Sequence, residues 1–407
     1  MGRKSKSIYF LSSIMLFAIS LMELSACGGG GGGGGGSSST NTTTSAPSTS
    51  AITFSSSKYD FNHPNQIAVD ASGNVWVTNL DGNSVTEIPA TTPNSPVVFQ
   101  NSSYGFAGPF GIAIDQTGNI WITNSNPTGN GANSVTEIPV STPDSPITYC
   151  NSGCSINSNY NFNTPRGIAV DPSGNIWVAN YGYGINGTVT ELVKNNSYKP
   201  SIISGFIYPD FLASDSAGNI WVSNYGYAYN TNNPNLATNG NMVTEIQTSS
   251  SNALITFCSA SYCTYNLNPI TAPSNIAVDS NGNIWTSNGD NSNPFSIVEI
   301  VKNALTTPNV YLATNYGFTA TEGLESDGNG NMWFADYSGN NVIELPVGQN
   351  SFNSFSSLAV FDSPTDLAID KSGNVWVTNF SNNTVVELVG VAASTPVPLT
   401  GISSPKQ

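Results

Sequence analysis

A tryptophan segment that recurs seven times along the chain constrains the fold more than any other feature. Each copy reads Gly-Asn, then Val, Ile or Met, then Trp, and the tryptophans are Trp76, Trp121, Trp177, Trp221, Trp285, Trp333 and Trp376. Successive copies lie 43 to 64 residues apart, and the intervening segments read as short strands separated by turns. This period predicts an all-β fold, a seven-bladed β-propeller with four antiparallel strands per blade.

Two further side chains repeat once per blade, and both are expected to be structural. An aspartate stands three residues before each repeat glycine, at Asp70, Asp115, Asp171, Asp215, Asp279, Asp327 and Asp370. The glycine supplies the positive φ of a tight turn, and the aspartate accepts N–H bonds across it. Turns on one rim of a propeller lie too far apart to share a metal ion. The third strands carry Glu87, Glu137, Glu191, Glu245, Glu299, Glu344 and Glu387, which we expect to be hydrogen-bonded or solvated.

The repeat has a family resemblance. Its third copy reads Pro165-Arg-Gly-Ile-Ala-Val-Asp-Pro-Ser-Gly-Asn-Ile-Trp-Val178. This pattern resembles the repeat of NHL-type propellers and of the streptogramin (virginiamycin B) lyase family, over residues 51–402. The resemblance implies the fold but not one function, because such propellers include enzymes, binding modules and assembly platforms. The lyases use a histidine base with a metal, whereas this chain has a single histidine, His63, and no matching motif.

The N-terminal segment predicts export and lipid anchoring. Three basic residues precede an apolar run, residues 8–22, that is too short to span a bilayer comfortably, so we interpret residues 1–26 as a signal peptide. Leu24-Ser-Ala-Cys27 resembles the lipobox of bacterial lipoproteins, which implies that Cys27 is lipidated. Residues 27–50 are rich in Gly, Ser and Thr and predict a flexible tether, and residues 403–407 form a short tail. We expect a monomer held by its lipid in the bacterial cell envelope, at the outer membrane or cell surface.

The charge of the mature chain excludes one class of partner. Removing residues 1–26 takes away three basic residues and Glu23, which leaves seven basic and 24 acidic side chains and a formal charge of −17. Such a chain repels phosphate backbones, so nucleic-acid binding is not expected.

Four cysteines remain after Cys27, in two close pairs, Cys150 with Cys154 and Cys258 with Cys263. In an exported chain these pairs predict two local disulfides.

The sequence leaves two candidates for the strand that closes the ring. Either residues 51–54 or residues 396–400 supply the outermost strand of the seventh blade.

Function should lie where the repeats differ, and they differ most where the innermost strands begin. The second and third residues of these strands, which we call the mouth, are Asn65-Gln66, Phe110-Gly111, Arg166-Gly167, Asp210-Phe211, Ser274-Asn275, Glu322-Gly323 and Thr365-Asp366. Seven such positions around an axis surround the opening of a central channel. Arg166 either pairs with Asp210 of the next blade or anchors a ligand anion.

Two groups of residues at or near the mouth are candidates for binding. Asp210, Glu322, Asp366, Asn65 and Asn275 could present oxygen ligands to Ca²⁺ or Mg²⁺. Blade six departs most from the repeat, since Glu322, Glu325 and Ser326 replace apolar or small residues. Phe110 and the loop tyrosines Tyr181, Tyr183, Tyr227 and Tyr229 suit sugar rings or peptide surfaces, or they pack on one another.

These features favour a non-catalytic lipoprotein whose variable face binds a carbohydrate, a peptide, a protein or a small molecule. The alternative is a metal-dependent enzyme of the streptogramin-lyase or lactonase type, with its site at the mouth.

Overall fold

The computed structural model describes eight parts of the chain, namely residues 50–55, 57–126, 133–182, 187–226, 241–258, 264–266, 270–290 and 293–395. These residues form seven separate sheets, one for each tryptophan repeat. The predicted seven-bladed propeller with four antiparallel strands per blade is confirmed. Among the described residues, no helix is long and apolar enough to cross a membrane.

The strands are numbered in chain order, starting with β1 (Ser50–Phe54). Blade one contains β2 (Pro64–Val69), β3 (Val75–Asn79), β4 (Ser84–Ile88) and β5 (Val97–Phe99). Blade two contains β6 (Pro109–Ile114), β7 (Ile120–Asn124), β8 (Ser134–Ile138), β9 (Ile147–Cys150) and a short parallel addition, β10 (Ile156–Asn157). Blade three contains β11 (Pro165–Val170), β12 (Ile176–Asn180), β13 (Gly187–Val193) and β14 (Lys199–Phe206).

The other blades follow the same plan. Blade four contains β15 (Pro209–Ser214), β16 (Ile220–Asn224), β17 (Met242–Gln247), β18 (Ala253–Cys258) and the parallel β19 (Tyr265–Asn266). Blade five contains β20 (Pro273–Val278), β21 (Ile284–Asp290), β22 (Asn293–Ile300) and β23 (Asn309–Leu312). Blade six contains β24 (Thr321–Ser326), β25 (Met332–Asp336), β26 (Asn341–Leu345) and β27 (Asn353–Ser354). Blade seven contains β28 (Pro364–Ile369), β29 (Val375–Asn379) and β30 (Thr384–Val389).

The first strand of the chain completes the last blade. β1 pairs antiparallel with β30, from Ser50 opposite Val389 to Phe54 opposite Val385. The N-terminal candidate therefore supplies the outermost strand of blade seven, while the C-terminal candidate, residues 396–400, lies outside the described residues. The described helices are short: α1 (Ala313–Tyr316) and the 3-10 turns Ser102–Tyr104, Lys194–Asn196 and Thr248–Ser250.

The repeated motif forms one hydrogen-bonded unit, which blade three illustrates. Asp171 Oδ1 accepts the backbone N–H groups of Ser173 and Asn175, at 2.8 and 2.9 Å. Its Oδ2 accepts Asn175 Nδ2 at 2.8 Å and Trp177 Nε1 at 3.0 Å. Gly174 has φ +83°, as the turn requires. We call this arrangement the turn unit.

All seven blades contain the turn unit, with the aspartate bonded to the tryptophan indole at 3.0 to 3.3 Å. Since every aspartate is occupied within its own turn, the structural interpretation is confirmed. The innermost strand of each blade begins at the mouth and ends at this turn, so the turn units lie on the opposite face.

The core lies between blades, as the tryptophans predict. One cluster joins Trp121 and Tyr149 of blade two to Ile168, Val178 and Leu192 of blade three, and equivalent clusters occupy the other blade interfaces. Trp121, Trp177 and Trp333 are completely buried. The third-strand glutamates lie opposite the tryptophans within their own sheets, and Glu137, for example, accepts the Tyr149 hydroxyl at 2.8 Å.

Cys150 at the end of β9 and Cys154 in the loop before β10 form a disulfide, as predicted. Cys258 at the end of β18 is disulfide-bonded as well, and its predicted partner, Cys263, lies outside the described residues. Disulfides of this kind indicate a chain that matures in an oxidising compartment.

Candidate functional site

The mouth is held by hydrogen bonds that run from blade to blade. Each innermost strand has a register shift just after its first residue, so a bulge lies at the mouth in every blade. In five blades a hydroxyl of the second strand accepts the bulge N–H and donates to a carbonyl of the next blade, and these hydroxyls belong to Thr78, Thr123, Ser223, Ser287 and Thr378. Side chains on this frame are therefore presented by rigid backbone.

Arg166 is the centre of a buried interblade contact. Its Nη1 lies 3.1 Å from Asp210 Oδ1, and both side chains are buried. The guanidinium carbon lies 3.7 Å from the centre of the Tyr181 ring and 5.4 Å from that of Phe110. The predicted ion pair is confirmed, and two aromatic rings hold the guanidinium in a cation–π arrangement. The second hypothesis for Arg166, an anchor for a ligand anion, stays a prediction.

Glu322 interacts electrostatically with the Arg166–Asp210 pair. Burial and the Asp210 carboxylate raise the pKa of Glu322 to about 8, although Arg166 opposes the shift. A carboxyl group with this pKa exchanges its proton near neutral pH. Glu322 can therefore either donate or accept a proton at the mouth.

From the mouth inward, the seven innermost strands line a cavity that opens to solvent. Blades two to four contribute only apolar side chains, namely Ile112, Ile168, Phe211 and Leu212. Blades five, six, seven and one contribute the polar groups, Asn275, Glu325, Asp366 and Gln66, together with the apolar Ile276, Ala277 and Leu324. The cavity therefore has an apolar half and a half that carries all of its polar groups.

Two carboxyl groups from neighbouring blades share the polar half. Asp366 Oδ2 accepts the backbone N–H of Ile67 at 3.1 Å, and burial raises the Asp366 pKa to about 7. Burial and the nearby Asp366 raise the pKa of Glu325 well above its usual range. The channel thus holds two acids that cannot both ionise without cost.

The two amide side chains beside these acids have a defined orientation. Gln66 Oε1 accepts the N–H of Ile112 at 3.3 Å, and Asn275 Oδ1 accepts the N–H of Ile276 at 2.8 Å. Because a backbone N–H can donate only to the amide oxygen, both NH₂ groups are left for the cavity.

The predicted metal constellation stays a prediction. Within the described residues, no three His, Cys, Asp or Glu side chains lie close enough to hold a metal ion. Asp210 pairs with Arg166, and Asp366 accepts backbone N–H groups. The Asn275 oxygen accepts the N–H of Ile276, whereas Asn65 donates its Nδ2 to the Phe110 carbonyl. Three of the five predicted ligands thus have a partner within the protein on a side-chain oxygen.

Only part of the predicted aromatic group can be placed. Tyr181 contacts Arg166, and its ring centre lies 5.0 Å from that of Tyr208. Tyr183, Tyr227 and Tyr229 lie outside the described residues.

His63 lies at the junction of blades one and seven, where its Nδ1 is 2.7 Å from Asp81 Oδ2 and its ring stacks on Phe380. It is not among the residues that line the cavity.

Four important residues were not among the predicted binding residues. Glu325 had a usable signal, because the other six innermost strands carry alanine at the same position. Gln66 and Phe211 belong to the mouth but were not singled out. Ile112 follows the repeat consensus, so no signal marks it as part of the cavity wall.

The fold and the repeats define the protein as a seven-bladed β-propeller, and two of its repeats match a known family model. The NHL repeat model matches residues 162–183 and 361–388, in blades three and seven. A sequence search among curated proteins found no significant match.

Solved structures show the same fold at low sequence identity. A catalytically inactive variant of virginiamycin B lyase from Staphylococcus aureus, crystallised with quinupristin, is similar with a TM-score of 0.62 at 15% identity, over 84% of this chain and 99% of that one. A streptogramin B lyase gives 0.61 at 17% identity, over 84% and 97%. The extracellular domain of a protein described as a hybrid two-component system from B. thetaiotaomicron gives 0.59 at 14% identity, over 88% and 44%.

Proposed function

We propose that this protein is an exported binding protein that captures a small ligand in its central channel, without converting it. The observation that carries the proposal is the cavity below the mouth, which all seven innermost strands line. Its apolar walls with a few convergent polar groups are typical of small-molecule sites.

The rigid frame of the mouth supports this proposal. The hydroxyl bonds between blades and the Arg166–Asp210 pair hold the channel opening in one arrangement, so little entropy is lost when a ligand enters. Phe110 and Tyr181 supply aromatic surface at the rim, which suits a sugar or a peptide side chain that extends out of the channel.

The described residues also favour binding over catalysis. His63 and Asp81 form a pair, but His63 stacks on Phe380 and does not line the cavity. The alternative is an enzyme of the lyase or lactonase type that uses Glu322, since its pKa of about 8 suits proton transfer at neutral pH.

The proposal places the protein in the bacterial cell envelope. Cleavage before Cys27 would leave a lipid at the N-terminus, and residues 27–50 would tether the propeller to the membrane. The Cys150–Cys154 disulfide supports export.

A cavity-filling variant tests the proposal. Mature protein is screened by thermal shift against glycans, peptides and small molecules, and the hits are measured by calorimetry. Ala277→Phe fills the channel and should weaken binding of channel ligands at least tenfold. Val140→Phe, on the exposed surface, is the matched control and should leave binding unchanged.

Hits that bind the Ala277→Phe variant as tightly as the parent would overturn the proposal. Turnover of a hit that is lost in Glu322→Gln, with binding retained, would favour the enzyme instead.

A further inference from the structure

The polar half of the channel contains two acids that favour a positively charged ligand group. Glu325 and Asp366 come from neighbouring innermost strands and line the same cavity, and the Asp366 charge raises the energy of ionised Glu325. The described residues contain two ion pairs, Arg166 with Asp210 and His63 with Asp81, and neither includes these carboxyls. Two acids facing one cavity therefore lack a cation from the described part of the chain.

Asn275 is an independent sign that this half of the channel takes a ligand. Its side chain is buried, with a relative exposure of 7%, and it lines the cavity. The Ile276 N–H fixes its oxygen, so its NH₂ group has no hydrogen-bond acceptor among the described residues. Because Asn275 lines the cavity, this NH₂ group can donate to an acceptor atom of a ligand there. Gln66, on the other side of the two acids, is oriented in the same way.

A metal ion fits this arrangement poorly. Ca²⁺ requires six to eight oxygen ligands and Mg²⁺ near-octahedral coordination. Backbone N–H groups occupy the oxygens of Gln66 and Asn275, so their amides present N–H donors to the cavity. Around the polar half, an amide donor, two acids and a second amide donor follow one another. A ligand that matches this order carries a cationic donor flanked by neutral acceptors.

We propose that the channel binds a small ligand with a protonated aliphatic amine flanked by hydroxyl groups, as in an amino alcohol or an amino sugar alcohol. The ammonium group lies between Glu325 and Asp366, and hydroxyl oxygens accept the NH₂ groups of Asn275 and Gln66. The carbon chain of the ligand lies against Ile112, Ile168 and other apolar side chains of blades two to four. This inference rests on the proposed binding function and names the ligand class for the same cavity.

Matched probes test the ligand class on the mature protein. Glucamine and sorbitol differ only by an amine in place of a hydroxyl, and their dissociation constants are measured by calorimetry at pH 7. We expect glucamine to bind at least tenfold more tightly than sorbitol. Calcium chloride is titrated separately as the competing cation.

Two variants test whether Glu325 and Asp366 cause the preference for glucamine over sorbitol. Glu325→Ala restores the alanine found in the other six innermost strands, so it should fold, and Asp366→Asn keeps the shape of the side chain. Each should abolish the preference for glucamine. Glu387→Gln, in the third strand of blade seven and outside the cavity, is the control and should retain it.

The outcomes separate this inference from the proposed function. If glucamine and sorbitol bind equally well and Ala277→Phe abolishes binding of both, the amine preference is wrong. The proposed binding function is then still supported. Tighter binding of calcium than of glucamine also overturns the amine. No binding of either probe overturns the ligand class, and the wider ligand screen then decides the binding function independently.

Discussion

The two faces of this propeller are built from the same seven repeats and have opposite properties. On the turn face, every blade carries the same aspartate, glycine, asparagine and tryptophan with the same four hydrogen bonds. At the mouth, the seven strand starts present seven different pairs of side chains. Residues that are the same in every repeat are those that each blade needs in order to fold. Residues that differ between repeats are those that the seven blades can combine into one site.

The largest expected effect concerns the turn face. Trp177→Ala should lower the free energy of unfolding by about 4 kcal/mol, because it removes a completely buried ring and leaves a cavity between blades. Urea denaturation of the purified protein measures this loss. Trp121→Ala, in the neighbouring blade, should cost a similar amount because its surroundings are equivalent.

A loss below about 1 kcal/mol in either variant would contradict the equivalence of the turn units. Trp177→Phe serves as the control: it keeps most of the packing but loses the bond to Asp171, and its cost should be smaller.

An intermediate effect is expected at the mouth. Arg166→Ala leaves Asp210 buried without its cation and should destabilise the fold by about 3 kcal/mol. Replacing both partners, Arg166→Met with Asp210→Leu, should recover much of this loss because no buried charge then remains. Chemical denaturation of the single and double variants provides the comparison.

No recovery in the double variant would mean that the pair is as indispensable to folding as a turn unit. The contrast between the two faces would then fail at this position.

The smallest effect, taken per pH unit, is the dependence of stability on pH. The folded-state pKa values of Glu322 and Asp366, about 8 and about 7, lie above the usual carboxyl values. Between the unfolded and folded values the folded chain binds more protons, so stability from these groups is present at low pH and is lost as the pH rises toward 8. Each group contributes a slope of at most about 1.4 kcal/mol per pH unit.

Unfolding free energies measured from pH 5 to pH 8 check this sign. Glu322→Gln should flatten the curve in its upper part, because that side chain no longer titrates. A curve unchanged by the substitution would show that Glu322 ionises normally at the mouth.

The blade could be predicted from sequence because its decisive contacts are local. Asp171, Gly174 and Trp177 lie within seven residues, so the spacing alone defines the turn unit. The closing strand could not be predicted, since residues 51–54 and 396–400 read alike and only pairing with β30 distinguishes them.

The site was predictable only where neighbouring blades place equivalent positions side by side. Arg166 and Asp210 occupy the same position in adjacent blades, and they pair as anticipated. The metal constellation stays a prediction, because the contacts of its carboxylates with Arg166 and with a backbone N–H group have no signature in the residue pattern. Glu325 was noticed as a departure, but its position beside Asp366 depends on the curvature of the whole ring.

Ring closure by β1 has a consequence for folding. β1 is the first strand described, yet its partner β30 follows every other strand described here. Phe54 therefore becomes buried only when the last strand is in place. A chain that lacked β30 would expose two unsatisfied strand edges, and such edges are prone to join other chains.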